Sequence, residues 1–297
     1  MEAKYLDSEL PLVAIVGPTA SGKTALAIEL AERFKGEIIC ADSRSIYKGL
    51  DIGTAKPTIE EQSRVPHWGL DLVEPGERYT VVDFKKYAEE KIHEIRKRGH
   101  IPFLVGGTGL YADAVLFDYQ FGPPHDDTMR SDLDNMSIDE LHKYCIKHNI
   151  ELPENKQNKR YVIRAIEKNG VVSQRRSEPI STSIIVGIAT DREILRTRIK
   201  HRAEQMFNDD VVNEAILLGK KYGWESEAMT GNIYPIIREY IAGNISLADA
   251  KEKFATSDWR LAKRQLTWMR RNSYIQWCDL SKAKEYLTEV LAKADKA

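Results

Sequence analysis

Residues Gly17-Pro18-Thr19-Ala20-Ser21-Gly22-Lys23-Thr24 fit the pattern G-x-x-x-x-G-K-[ST], and their surroundings leave few folds open to the chain. The segment before them, Leu12 to Val16, is a short apolar run rich in β-branched residues. The segment after them, TALAIELAERF, has helical periodicity. Strand, glycine-containing loop and helix in that order turn backbone N–H groups toward phosphate oxygens, with a lysine as point charge and a hydroxyl suited to Mg2+. Gly17, Pro18, Thr19, Ala20, Ser21, Gly22, Lys23 and Thr24 are therefore the candidate phosphate-binding residues, and Thr24 is the candidate metal ligand.

Further strands fit residues 37–41, 101–105 and 183–188, with an amphipathic helix from Val81 closed by Gly99 between the second and third. The helix that follows residue 188 has Asp191 as its N-cap candidate. Strands alternating with helices predict an α/β fold, a P-loop NTPase-like parallel sheet flanked by helices. FGPPHDD breaks this pattern, and the next fifty or so residues are helical with no strong strand. Residues 123–182 are read as a helical insertion domain. Residues 1–122 and 183–297 then form the catalytic core, helical from Asp209 to the end.

Hydrolytic P-loop proteins carry an Asp at the end of an apolar strand to hold Mg2+. Here the strand at 101–105 runs into Gly106-Gly107-Thr108-Gly109, with no acid. The carboxylate stands at the end of the second strand, in Cys40-Ala41-Asp42-Ser43. Ligands gather at the carboxyl ends of strands in open α/β sheets, so Asp42, Thr108 and the P-loop are expected to face one crevice. Asp42 can there take a proton from an acceptor hydroxyl or amine. Asp-Ser is also a common turn pair, and GGTG is also a tight turn that calls for glycine dihedrals.

Forty-four Lys and Arg against 45 Asp and Glu exclude a uniformly basic nucleic-acid coat but not a basic patch. Lys156 to Arg176 holds seven basic residues against Glu167 alone, with Arg160 and Arg164 on one helical face. Trp259 to Tyr274 holds Arg260, Lys263, Arg264, Arg270 and Arg271 with no acid, interleaved with Trp259 and Trp268. Such segments suit phosphate backbones and unstacked bases. Three scattered cysteines speak against a disulfide framework or a zinc site. No apolar run reaches the ~18–20 residues of a membrane span, and the N-terminus lacks a signal peptide pattern, so a cytoplasmic protein is expected. Three readings stay open on these residues: a small-molecule kinase with Asp42 as base, a group transferase that holds a diphosphate leaving group and acts on nucleic acid, and a nucleotide switch. The second basic segment favours the transferase.

Several motifs together resemble the tRNA dimethylallyltransferases, also called isopentenylpyrophosphate transferases. They are GPTASGKT, Asp42-Ser43, DIGTAKP at Asp51 to Pro57, Pro66-His67 with Asp71, GGTGLY at Gly106 to Tyr111, the pattern from Asn158 to Glu167, Arg198 with Arg202, and AKRQLTW at Ala262 to Trp268. The resemblance implies transfer of a dimethylallyl group from dimethylallyl diphosphate to N6 of the adenosine 3′ of the anticodon in tRNA. It implies a P-loop that holds the diphosphate with Mg2+, aided by Arg202, with Asp42 accepting the N6 proton and Thr108 positioning the reacting groups. Lys23, Asp42, Thr108 and Arg202 are thus the expected catalytic residues. The expected contacts with the tRNA anticodon stem-loop are Asp42, Ser43, Arg44, Ser45, Thr108, Arg160, Arg164, Lys263, Arg264, Gln265 and Trp268. The chain departs from the pattern at Trp68, Tyr161, Ile233, Asp258 and Trp259, where the last two replace Thr-Arg. No Cys/His extension follows Trp268, which suggests the bacterial type, expected to act as a monomer. Relatives that prenylate free adenine nucleotides share the front half of the pattern and are the alternative.

Overall fold

The computed structural model describes residues 10–121, 127–168 and 174–294. Strands β1 (Leu12–Val16) and β5 (Ser183–Ile188) coincide with the two apolar runs, because a short stretch of apolar, largely β-branched residues has nowhere to go but a sheet interior. Strands β2 (Gly36–Cys40) and β4 (Ile101–Gly106), like β1, are buried at every residue, as strands covered on both faces must be. Two short strands complete the sheet, β3 (His67–Trp68) and β6 (Gln276–Cys278). All neighbours are parallel, in the order β3-β2-β4-β1-β5-β6. The expectation of an all-helical stretch after Asp209 therefore fails at β6. Those three residues carry no strand signal of their own; they become a strand by pairing with the edge that Val186–Ile188 offers.

The helices are α1 (Lys23–Arg33), α2 (Ile59–Arg64), α3 (Val81–Lys97), α4 (Gly109–Leu116), α5 (Asp127–Asn135), α6 (Ile138–Lys147), α7 (Lys159–Lys168), α8 (Arg192–Met206), α9 (Asp209–Tyr222), α10 (Tyr234–Ile241), α11 (Leu247–Met269) and α12 (Leu280–Ala294). Asp191 does cap α8, accepting from Glu193 N and Ile194 N. None of the described helices is long and apolar enough to cross a membrane.

Two compact units emerge: residues 1–117 with 178–297, and residues 118–177. In the larger unit, one core packs α1 and α12 against the sheet around Ile15, Leu30, Phe103 and Leu287. A second core lies under α9, α10 and α11 and takes in Ile46, Tyr47 and Leu50 from the loop after β2. The smaller unit closes α5, α6 and α7 on Leu133, Leu141, Cys145, Val162, Ile163 and Ile166. The sequence breaks bracket 123–182 instead. Pro123 lies outside the described residues, and at the other end Ile180 N already donates to Leu116 O of the larger unit, so the chain has rejoined that unit before Thr182.

Candidate active site

At the carboxyl end of β1 the chain turns through Ala20 (φ 60°) and Gly22 (φ 91°) into α1. Gly22 is the N-cap, and no side chain caps this helix. By contrast, Thr58, Thr80, Ser137 and Ser246 close capping boxes on α2, α3, α6 and α11. The first-turn N–H groups of α1 are thereby left for an anion, at the positive end of the helix dipole. Ser21 Oγ is buried there without a hydrogen-bond partner. Lys23 Nζ donates to Pro18 O at 3.2 Å, curled back over its own loop. Burial pulls the Lys23 ammonium down to about 8; Asp42 opposes that fall and Arg202 adds to it.

Two arginines one turn apart on α8 reach the same loop. Arg202 Nη1 donates to Thr19 Oγ1, and Arg198 Nη1 donates to Ser21 O at 3.2 Å. Arg198, to which the motif alone assigns no role, thus buttresses the backbone that would carry phosphate. The only signal for it in the sequence is its four-residue spacing from Arg202.

The ends of β2 and β4 meet beside the loop. Thr108 N donates to Ala41 O at 3.2 Å, and Thr108 Oγ1 accepts from Ser43 N at 3.1 Å, so Thr108 fixes the segment that carries Asp42. Asp42 Oδ1 accepts from Arg44 N at 2.8 Å. The turn reading of Asp-Ser is therefore real, and it orients the carboxylate at the strand end. Gly106, Gly107 and Gly109 all have negative φ, which corrects the expectation that GGTG calls for glycine dihedrals. What they supply is room. A Cβ on Gly106 would lie 2.5 Å from the Ala41 carbonyl carbon, one on Gly107 3.1 Å from Gln265 Cδ, and one on Gly109 2.8 Å from Trp268 Cγ.

Gln265 and Trp268 consequently sit against the catalytic loops. Gln265 Oε1 accepts from Thr19 N at 2.8 Å, and Trp268 Nε1 donates to Asp113 Oδ2 at 2.7 Å. Gln265 is turned inward and holds the P-loop, whereas Lys263 and Arg264 are exposed. With Arg260, Thr267, Arg271 and an edge of Trp268 they line an open groove of about 490 Å³. Of the residues after Asp42, Arg44 donates to Glu227 O at 2.8 Å, and Ser45 is buried with its carbonyl taken by Asp71 N. Arg160, in the smaller unit, is exposed; Arg164 pairs with Glu167 at 3.1 Å, and Glu167 also holds Arg130 at 2.8 Å.

The DIGTAKP segment is a clamp behind the site. Lys56 is buried between Asp51 (2.7 Å) and Asp71 (2.6 Å) and donates to Tyr47 O at 2.7 Å. The Glu214 carboxylate accepts the backbone N–H groups of Asp51, Ile52 and Gly53 and the hydroxyl of Tyr234. The departure at Trp68 is also structural: its indole N–H meets the buried Glu37 at 2.7 Å, beside Arg98 and His100.

The chain as a whole resembles known proteins. A family model described as IPP transferase matches residues 45–272, and one described as isopentenyl transferase matches residues 10–68. A tRNA dimethylallyltransferase of Anoxybacillus flavithermus is 37% identical over 281 residues, which is 91% of this chain and 90% of that protein. One of Bacillus subtilis is 33% identical, covering 97% of this chain and 99% of that protein. Among solved structures, the full-length tRNA isopentenylpyrophosphate transferase of Bacillus halodurans superposes with a TM-score of 0.73 at 33% identity, over 97% of this chain and 99% of that one. A eukaryotic dimethylallyltransferase acting on tRNA, at 22% identity and TM-score 0.76 over 91% of this chain and 74% of that one, shares the fold. The P-loop, the Asp42–Thr108 corner and the α8 arginines described above are thus those of a chain that belongs to the IPP transferase family.

Proposed function

We propose that this protein is a tRNA dimethylallyltransferase, which moves a dimethylallyl group from dimethylallyl diphosphate to N6 of the adenosine on the 3′ side of the anticodon. The observation that carries the reading is the convergence on one P-loop of Lys23, Arg202 and an uncapped helix N-terminus, with Asp42 at the end of β2, one strand beyond β4. Cationic and N–H donors on one side suit a diphosphate leaving group. A carboxylate on the other suits an amine that must lose a proton.

In the transfer a bond forms between N6 and C1 of the dimethylallyl group as the C1–O bond breaks. The electron pair leaves with the diphosphate, and the N6 proton goes to the Asp42 carboxylate. Lys23, Arg202 and the first-turn N–H groups of α1 stabilise charge that grows on the departing oxygens. Thr108 holds Asp42 in place through Ala41 O and Ser43 N. The donor chemistry fits Mg2+, since the Thr24 hydroxyl and diphosphate oxygens are hard ligands. Mg2+ bound there would neutralise leaving-group charge. Unstacking the adenine brings N6 to the strand ends, with Ser43, Arg44 and the exposed Lys263, Arg264 face as RNA contacts. On this reading the protein works as a monomer in the cytoplasm.

The test is to offer labelled dimethylallyl diphosphate to bulk tRNA, AMP and ATP in parallel. Label in tRNA alone is expected. Label in AMP or ATP instead makes the protein a nucleotide prenyltransferase and overturns the acceptor assignment.

A further inference from the structure

The geometry points to Asp258 as a positioning residue for Arg202, holding the proximal end of its guanidinium so that the distal end faces the diphosphate. This rests on the proposed diphosphate role of the P-loop. Asp258 is 3% exposed, on the inner face of α11. Its Oδ1 accepts from Asn232 Nδ2 at 3.0 Å, which fixes the rotation of the carboxylate. Its Oδ2 is buried with no hydrogen-bond partner and lies 3.9 Å from Arg202 Nε.

The two ends of that guanidinium are addressed separately. Nε faces Met206 Sδ at 3.1 Å and the unpaired carboxylate oxygen, while Nη1 donates to Thr19 Oγ1 of the P-loop. A buried carboxylate oxygen without a partner is costly unless a cation compensates it, and Arg202 is the cation the structure supplies. The single Nε–H goes to Met206 Sδ, so Asp258 Oδ2 holds this end of the guanidinium by charge across 3.9 Å, while the distal nitrogens stay on the P-loop side. Asp258-Trp259 is also where this chain departs from the family's Thr-Arg, and the second residue works the same helix: Arg196 and Arg192 lie over the Trp259 ring at 4.9 and 5.8 Å. Both departures hold arginines of α8.

Charge alone and positioning predict opposite signs. Removing a carboxylate near an anion site tightens anion binding if only Coulomb attraction matters, and weakens it if the carboxylate aims the arginine. The experiment titrates inorganic diphosphate with Mg2+ into the full chain, its Asp258→Asn and Arg202→Ala variants, and the double variant. We expect Asp258→Asn to bind diphosphate about tenfold more weakly, with no further loss when added to Arg202→Ala, the behaviour of residues that act as a pair. In turnover, KM for dimethylallyl diphosphate rises while KM for tRNA stays constant. Tighter or unchanged binding, or an equal loss in both backgrounds, overturns the assignment. Should Asp258→Asn fail to fold, Asn232→Ala decides, since it frees the carboxylate to rotate. About threefold weaker diphosphate binding is expected there, of the order of one lost hydrogen bond, and parental affinity overturns the assignment. A parent protein that does not bind diphosphate overturns the P-loop reading itself.

Discussion

Replacing Gly106 by alanine tests whether the corner between β2 and β4 is as tight as described. The added Cβ would lie 2.5 Å from the carbonyl carbon of Ala41 and 2.8 Å from its Cβ, with the carbonyl oxygen nearer still. Ordinary van der Waals contact between such atoms is about 3.5 Å, so the strand ends must separate by roughly an ångström. Overpacking a closed interior costs about 1–3 kcal/mol. The parting also strains two hydrogen bonds, Thr108 N to Ala41 O (3.2 Å) and Ala41 N to Val105 O (2.8 Å). At about 1 kcal/mol each, these bring the expected loss to roughly 3–5 kcal/mol. For a domain of this size that lowers the melting midpoint by roughly 6–20 °C. Urea titration followed by tryptophan fluorescence reads the loss, and Gly99→Ala serves as the contrast. At Gly99 nothing lies near a new Cβ and the whole cost comes from φ +74°. If Gly106→Ala unfolds within about 1 kcal/mol of the parent, the close approach that holds Asp42 beside Thr108 is not a constraint, and the argument for that corner fails.

Three further outcomes follow from the same geometry. Asp42→Ala should cut prenyl transfer by about 10²–10⁴-fold while tRNA affinity in a filter-binding assay changes only a few-fold, because it removes a base and little surface. Lys23, drawn down to about 8, loses its charge as pH rises through that value, so affinity for dimethylallyl diphosphate should be flat below it and fall above it; Lys23→Arg, which stays charged, should abolish the inflection. For stability the sign reverses: between that value and the ordinary lysine range the unfolded chain holds more proton, so urea midpoints should rise with pH there, and Lys23→Met should remove that rise. Lys263→Ala with Arg264→Ala should flatten the salt dependence of tRNA affinity by nearly two units of log–log slope, read by binding at several salt concentrations, with dimethylallyl diphosphate affinity unchanged.

The strands that form the sheet's centre were legible because apolar runs of five or six residues, bounded by turn residues, carry their own signal; β1 and β5 match those runs residue for residue. The edge strands were not. His67–Trp68 and Gln276–Cys278 are too short and too polar to announce themselves, and they exist only because a neighbour offers an edge. The P-loop was readable because its chemistry is local. Gln265 and Trp268 were not readable in the same way: the sequence shows an amide and an indole among arginines, and only the structure reveals their hydrogen bonds to Thr19 and Asp113, about 150 or more residues away in sequence. The reason for GGTG was hidden likewise, since a need for room depends on what lies opposite.

Helix α11 carries its two faces in strict register. Asp258, Ala262, Gln265 and Met269 fall on one side, and Arg260, Lys263, Arg264 and Thr267 on the other. Each residue turns the helix by about 100°, so a single inserted or deleted residue between Asp258 and Gln265 would present a cation or an aliphatic side chain to Thr19 N and rotate the amide into solvent. Substitutions on the outer face leave the P-loop untouched, whereas a change of length anywhere in those six intervening positions disables it. The segment's hold on the P-loop therefore constrains its length, independently of the charges its solvent side carries.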